Sequence, residues 1–254
     1  MAEAAVTGTD PIRLGRGEVR VFWARLGDSD SRLLGLLNAV ERGRYAGYRR
    51  PEDANRFLLG AAMVRIVAGR HLGRPSGAVP VDRRCPDCDR PHGKVRLPGS
   101  DLHLSVSHSG DLVGLACHMG AAVGLDVEHL DRFENRPGTD LQSGLVDYVL
   151  AASEKNRLDS LGTAGRLPGF LRYWTRKEAL LKATGDGLRV DLRSLVLSGP
   201  DDPPVLLESS HLPRSELTLY DLEAAPDHVA ALAVHRDHPV RVTELPAGPL
   251  LEGT

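Results

Sequence analysis

The stretch Trp174-Thr-Arg-Lys-Glu-Ala-Leu-Leu-Lys-Ala-Thr-Gly-Asp-Gly-Leu188 constrains this chain more than any other. At 100° per residue, Trp174, Glu178 and Leu181 share one side of a helix, with Lys177 and Lys182 flanking it. A carboxylate therefore points the same way as a tryptophan and a leucine, toward an interior rather than water. Gly185-Asp186-Gly187 ends the helix with flexible backbone whose N–H groups can approach a ligand closely. The competing reading is an ordinary i,i+4 surface pair of Glu178 with Lys182, worth a few tenths of a kcal/mol.

The basic residues favour chemistry. Of the 32 lysines and arginines, four are lysines: Lys94, Lys155, Lys177 and Lys182. In so arginine-rich a chain, a retained lysine points to a place where a compact ammonium suits and a planar fork does not, such as a crowded phosphate. Two of the four lie in this one helix.

A length of 254 residues allows one large domain or two small ones with ample core. A net charge of −2 argues against a dedicated nucleic-acid or membrane-surface binder. The first 20 residues hold no apolar run of signal-peptide length, and no stretch approaches the ~18 apolar residues of a membrane span. Three cysteines make no disulfide framework. A reducing cytoplasm is the expected compartment.

Residues 1–16 read as a loose, flexible arm. Glu18–Leu26 alternates as a strand, residues 31–46 read as a helix, and 51–68 as a clearer one with Pro51 at its start and two acids in its first turn. Arg49, Arg50 and Arg56 gather at that start, where a solvated basic face is the plain interpretation. Cys85-Pro-Asp-Cys88 with His92 is part of a zinc pattern, but zinc takes four ligands. A loop with two free thiols is the first expectation there, a structural zinc the next, and a redox pair the last. Residues 102–108 and 112–118 form a hairpin around Ser109-Gly110-Asp111. It sets His108 beside the turn, within reach of a ligand or simply exposed. Leu130 to Thr139 reads as a polar loop, 140–161 and 167–184 as helices, and 192–197, 216–222 and 228–234 as strands. A Pro-containing tail follows from Pro246.

Ala121-Ala-Val-Gly-Leu-Asp-Val-Glu128 is the second informative element. Val123, Leu125 and Val127 take one strand face; Gly124, Asp126 and Glu128 take the other. The two carboxylates stand roughly 7 Å apart along the strand. A hard divalent cation, Mg²⁺ above all, resolves their repulsion, and a solvent-facing acidic edge is the alternative. Gly124 suggests that something passes close by.

Gly124-Leu-Asp-Val-Glu128, followed ~50 residues later by Trp174-x-x-Lys177-Glu178-Ala-x-x-Lys182, resembles the signature of 4′-phosphopantetheinyl transferases, in particular the surfactin-type class of one chain with two similar halves. The likeness extends to Glu52–Gly60, Gly93-Lys94 and Ser105-Val-Ser107-His108-Ser109, and so spans residues 18–235. It implies an α+β fold of two similar α/β halves, 17–118 and 119–245, in pseudo-twofold arrangement with the active site between them, and a tail at 246–254. It further implies transfer of the phosphopantetheine arm of coenzyme A to a serine of an apo acyl or peptidyl carrier protein in polyketide, nonribosomal peptide or fatty acid synthesis. Adenosine 3′,5′-bisphosphate is released, as in the holo-[acyl-carrier-protein] synthase type of reaction. A cytoplasmic monomer is expected.

On this resemblance Asp126, Glu128 and Glu178 hold Mg²⁺, and Lys182 touches phosphate alone. Ser107 and His108 contact the coenzyme A phosphates, while Lys94, Arg44 and Arg56 meet the nucleotide end. Glu178 or a metal-bound water takes the serine proton. Carrier recognition is expected over about Leu130 to Leu161. The chain departs from the family's Gly-Lys-Pro, having Gly93-Lys94-Val95. Its basic cluster from Arg42 to Arg50 matches the family's lysines only loosely. An inactive coenzyme A- or carrier-binding relative and a Mg²⁺-dependent phosphohydrolase are the other functions this residue set allows.

Overall fold

A computed structural model of the protein describes residues 14–85, 87–131 and 144–253, with backbone alone at 188. Most of the expected arm at 1–16 and of the loop at 130–139 falls outside the described residues. The chain folds into strand β1 (Glu18–Arg25), helices α1 (Ala39–Ala46) and α2 (Pro51–Leu72), and strands β2 (Leu102–Ser109), β3 (Leu112–Met119) and β4 (Val123–His129). Helices α3 (Leu145–Val149), α4 (Ala152–Ser160) and α5 (Gly162–Thr184) follow. The chain ends with β5 (Leu195–Leu197), β6 (Leu206–Ser209), β7 (Thr218–Leu222), β8 (His228–Val234), β9 (Arg241–Pro246) and a short helix α6 (Gly248–Glu252).

The architecture is α+β, with two sheets between two long helices. One sheet has the order β2-β3-β1-β9, the other β4-β8-β7; β5 and β6 form a separate pair. Strand alternation sets the layers. Phe22, Leu104 and Leu115 face α2 in one apolar cluster with Leu59, Met63 and Val67. Val19, Val21 and Ala116, on the opposite face, meet Val123, Leu125, Leu232 and Val234 of the second sheet. Ala231 and Ala233, on that sheet's outer face, pack against Ala179, Leu180 and Ala183 of α5.

Local chemistry explains the helix limits. α2 opens with Pro51 and two acids and closes on Gly73 at φ 61°, where the left-handed cap suits glycine. The helix expected over 31–46 is two pieces. A 3-10 turn covers Ser31–Leu36, and Asn38 then caps α1 by accepting the Glu41 N–H, an N-cap that breaks the chain's direction. The helix expected over 140–161 is likewise divided, with extended backbone at Leu150 and Ala151 between α3 and α4. The strand expected over 192–197 begins as a 3-10 turn and becomes extended at Leu195.

The chain does not close at Val234. β9 returns to the first sheet and pairs in parallel with β1, held there by Trp23 Nε1 donating to Glu244 Oε2 at 2.7 Å. Within the expected tail, α6 buries Leu250 and Leu251 against the α2 cluster.

Candidate active site

β2 and β4 are both edge strands, and an edge presents unpaired backbone groups. β2 meets those of β4 with side chains. The Leu125, Val127 and His129 N–H groups donate to the hydroxyls of Ser105, Ser107 and Ser109 at 2.9, 3.3 and 3.0 Å. Two of these serines in turn donate to the carboxylates that alternate along β4. Ser107 donates to Asp126 Oδ1 at 3.0 Å, and Ser109 to Glu128 Oε2 at 2.7 Å. Ser105 lies opposite the Leu125 amide next to Gly124, which has no side chain to receive its proton. The period-2 serines of one strand thus orient the period-2 carboxylates of another. Asp126 and Glu128 are both buried, which overturns a solvent-facing acidic edge.

Gly124 is what lets α5 reach this strand. A Cβ there would stand 2.0 Å from Ala179 O and 2.3 Å from Ala183 N, so the helix backbone rests directly on the glycine. One turn of that helix delivers both Glu178 and Lys182. Lys182 Nζ donates to Asp126 Oδ1 at 2.6 Å, to Ser107 Oγ at 3.0 Å and to Leu125 O at 3.0 Å. The expectation that Lys182 touches phosphate alone is therefore corrected: the ammonium neutralises Asp126, because α5 packs tightly enough to bring it within hydrogen-bond reach. Asp126 Oδ2 is buried and has no hydrogen-bond partner among the described residues. Burial pushes the half-buried Glu178 carboxyl up, Asp126 adds to the rise, Lys182 opposes it and Glu128 adds again.

Lys94 also meets α5. Its ammonium donates to Val123 O, Lys182 O and Ala183 O at 3.2, 2.7 and 2.6 Å, which satisfies carbonyls at the helix C-terminus and ties them to the start of β4. Burial, with a smaller contribution from Arg96, lowers its pKa to about 8.

Asp126, Glu128, Ser105, Ser107, His108, Lys94 and Lys182 all line one cleft of about 820 Å³, together with Arg44, Arg56, Arg83, Arg96 and Arg189. Arg44 lies 4.8 Å over the Phe57 ring and donates to Pro91 O at 2.8 Å. Arg56 donates to Gly110 O and to Asp53 Oδ1, each at 2.6 Å. His108 is exposed at the cleft, and Arg49 and Arg50 are exposed outside it. The chain thus walls a basic cleft with a cluster of buried acids at one end.

A curated relative, the 4′-phosphopantetheinyl transferase HetI of Nostoc sp., is 33% identical over 222 residues, 85% of this chain and 87% of the relative. The chain belongs to the 4′-phosphopantetheinyl transferase superfamily. The family model of that superfamily matches residues 122–234, the run from β4 to β8 that includes Asp126, Glu128, Glu178 and Lys182. The 4′-phosphopantetheinyl transferase Sfp of Bacillus subtilis is 25% identical over 85% of this chain and 90% of its own length. A solved structure, the holo-[acyl-carrier-protein] synthase of Thermotoga maritima, covers 46% of this chain and 64% of its own, with TM-score 0.34 and 23% identity.

In this phosphopantetheinyl transferase the signature lysine Lys177 does not reach the cleft. It is fully buried, with Nζ 2.6 Å from Glu154 Oε2 and further bonds to Val149 O and Leu192 O at 2.8 and 3.0 Å. Arg176, also fully buried, pairs with Asp221 at 2.6 Å and donates to the carbonyls of Gly199, Pro200 and Asp202. Ser105, Ser109, Arg83 and Arg189 carry no role legible in the sequence. For the serines the spacing alone is a signal, since Ser105, Ser107 and Ser109 alternate on one strand face. For Arg83 and Arg189 nothing local marks them. Among the described residues, no helix is long and apolar enough to cross a membrane.

Proposed function

We propose that this transferase moves the 4′-phosphopantetheine arm of coenzyme A to a serine hydroxyl of an apo acyl or peptidyl carrier protein, releasing adenosine 3′,5′-bisphosphate. The observation that carries this reading is the buried Asp126 Oδ2, without a hydrogen-bond partner among the described residues, at the acidic end of a basic cleft. Carboxylate oxygens at Asp126 and Glu128, with Glu178 coupled to both through charge, are donors of the kind a hard divalent cation takes, although Glu178 is not among the residues that line the cleft. Asp126, Glu128 and Glu178 would hold Mg²⁺, which when bound stabilises charge developing on the pyrophosphate as the leaving group departs.

The remaining work belongs to the chain. The reaction forms a bond from the carrier serine oxygen to the phosphorus bearing the pantetheine arm, and breaks that phosphorus's bond to the bridging oxygen of the nucleotide. Such transfers depend on charge neutralisation and alignment more than on covalent help from the protein. Lys182 supplies a point charge beside Asp126 and toward pyrophosphate. Ser107 orients Asp126 and can face phosphate. Arg44 and Arg56 offer positive charge, and His108 an imidazole donor, to the nucleotide phosphates. Lys94 lines the same cleft and acts chiefly by fixing the end of α5 against β4. Glu178, whose basicity is raised, is the candidate to accept the serine proton. The two halves are read as a pseudo-twofold pair meeting at this cleft, in a cytoplasmic monomer.

Incubation with coenzyme A, Mg²⁺ and apo carrier protein, followed by weighing of the carrier, tests the reaction. A carrier heavier by the phosphopantetheine arm supports it. Breakdown of coenzyme A with the carrier unchanged indicates a phosphohydrolase, and binding without either change indicates an inactive relative.

A further inference from the structure

Two of the three cysteines lie in one short loop with His92, at the rim of the cleft and apart from the carboxylates. Cys85 Sγ, Cys88 Sγ and a ring nitrogen of His92 all lie within 4.8 Å of one another. Cys88 Sγ is 3.0 Å from His92 Nε2. Thiolates and imidazole bound tetrahedrally to one zinc stand about 3.5–3.8 Å apart, from bond lengths of about 2.3 and 2.0–2.1 Å. The three groups thus lie within about an ångström of that spacing.

The loop backbone is folded to keep them there. The Cys85 N–H donates to Arg90 O, the Asp89 N–H to Cys85 O, each at 2.9 Å, and the Gly93 N–H to Arg83 O at 2.7 Å. Between the second cysteine and the histidine, Asp89 takes φ 56°, a left-handed turn uncommon outside glycine. Cys85 is buried while Cys88 and His92 are exposed, so a metal here would bridge the body of the protein and its surface.

We propose that Cys85, Cys88 and His92 bind one Zn²⁺. Soft thiolates with an imidazole select zinc over the hard cations that suit carboxylates. The fourth position falls to water. Asp87 is the neighbouring acid, but its Oδ2 approaches Cys85 Sγ at only 3.9 Å and its Oδ1 is engaged by Arg189 at 3.2 Å. The ion staples the cleft wall, since the loop it closes leads directly into Gly93-Lys94 and its Pro91 carbonyl receives Arg44. This zinc is distinct from the cation at Asp126, and its test is independent of any transfer reaction.

The test is zinc content by mass spectrometry, on untagged full-length protein equilibrated with excess Zn²⁺ and then freed of loose metal by gel filtration. The parent retains one zinc per chain, and Cys117→Ala, a change at the buried cysteine outside the loop, retains it too. Cys88→Ser and His92→Ala, both at exposed positions, lose it while keeping the parent's circular dichroism. In the zinc-loaded parent, Cys88 resists a thiol reagent until a chelator is added. Parent protein free of zinc, zinc retained in both loop variants, or a Cys85–Cys88 disulfide in the isolated protein each overturns the proposal.

Discussion

Lys182 Nζ stands 2.6 Å from Asp126 Oδ1, the oxygen that also receives the Ser107 hydroxyl at 3.0 Å. One oxygen of this buried carboxylate is thus occupied by protein donors, and the other has no hydrogen-bond partner among the described residues. The division of labour within one side chain explains how helix α5 and strand β2 aim Asp126 without consuming it. It also separates residues that hold the carboxylates from those that merely hold the strands.

The three serines provide that separation experimentally. Ser105→Ala and Ser107→Ala each leave a buried β4 amide unsatisfied, costing about 1–3 kcal/mol. Ser107→Ala additionally frees Asp126 from its orienting bond, whereas the Ser105 hydroxyl bonds no carboxylate among the described residues. Thermal melts are expected to show a loss for both variants, the larger for Ser107→Ala, while the Mg²⁺ concentration giving half-maximal transfer rises for Ser107→Ala and stays at the parent value for Ser105→Ala.

Gly124→Ala probes the approach of α5 to β4. The new methyl would lie 2.0 Å from a helix carbonyl, and backbone on both sides has no rotamer by which to yield. A loss of about 3 kcal/mol, the upper end of ordinary overpacking, is expected in denaturant unfolding. A stability equal to the parent's would contradict the direct helix-on-strand contact.

Lys177 and Glu154 form a buried ion pair at 2.6 Å with neither side chain exposed. Lys177→Met strands the Glu154 charge and is expected to cost about 3–5 kcal/mol. Lys177→Met combined with Glu154→Gln removes both charges and is expected to recover much of that loss. Equal instability of single and double variants in urea unfolding would count against charge stranding as the cause.

His228 is one of three histidines, with His103 and His118, whose burial is expected to make stability fall with acid. Burial holds its imidazole below the ordinary 6.5, with His129 and Arg25 adding to the depression and the Ser109 carbonyl and Asp111 opposing it. The native protein therefore resists a proton that the unfolded chain accepts. Its contribution is fully present above pH 6.5 and is lost as pH falls from there toward the depressed native value. His228→Gln is expected to flatten the fall of the melting temperature over that window. A parallel pH profile in the variant would show that other groups set the acid limit.

Much of the site is legible in the sequence because strand alternation and helix periodicity are local. Gly124, Asp126 and Glu128 share a strand face, Glu178 shares a helix side with Trp174, and the glycine signals a close neighbour, which proves to be α5 itself. The partners of the lysines are not legible. Lys182 finds Asp126, Lys94 finds three carbonyls and Lys177 finds Glu154 through tertiary packing, and an ammonium carries no mark of the acceptor it will meet. β9 escapes for a related reason. Arg241–Pro246 ends in proline and is only half-buried, so its strand state depends on β1 and on the bond from Trp23 to Glu244.

In the proposed reaction Glu178 serves the cation and the attacking serine, while Lys182 serves charge and position. Turnover of coenzyme A and an apo carrier against Mg²⁺ concentration, for the parent, Glu178→Gln and Lys182→Arg, tests it most directly. Glu178→Gln is expected to reduce turnover by about 10²-fold or more and to weaken the Mg²⁺ dependence, through loss of a ligand charge and of the base. Lys182→Arg keeps the charge but exchanges a compact ammonium for a broad fork; turnover should fall while the metal requirement persists. Curves for both variants that overlay the parent's would contradict the account and make this helix turn scaffolding.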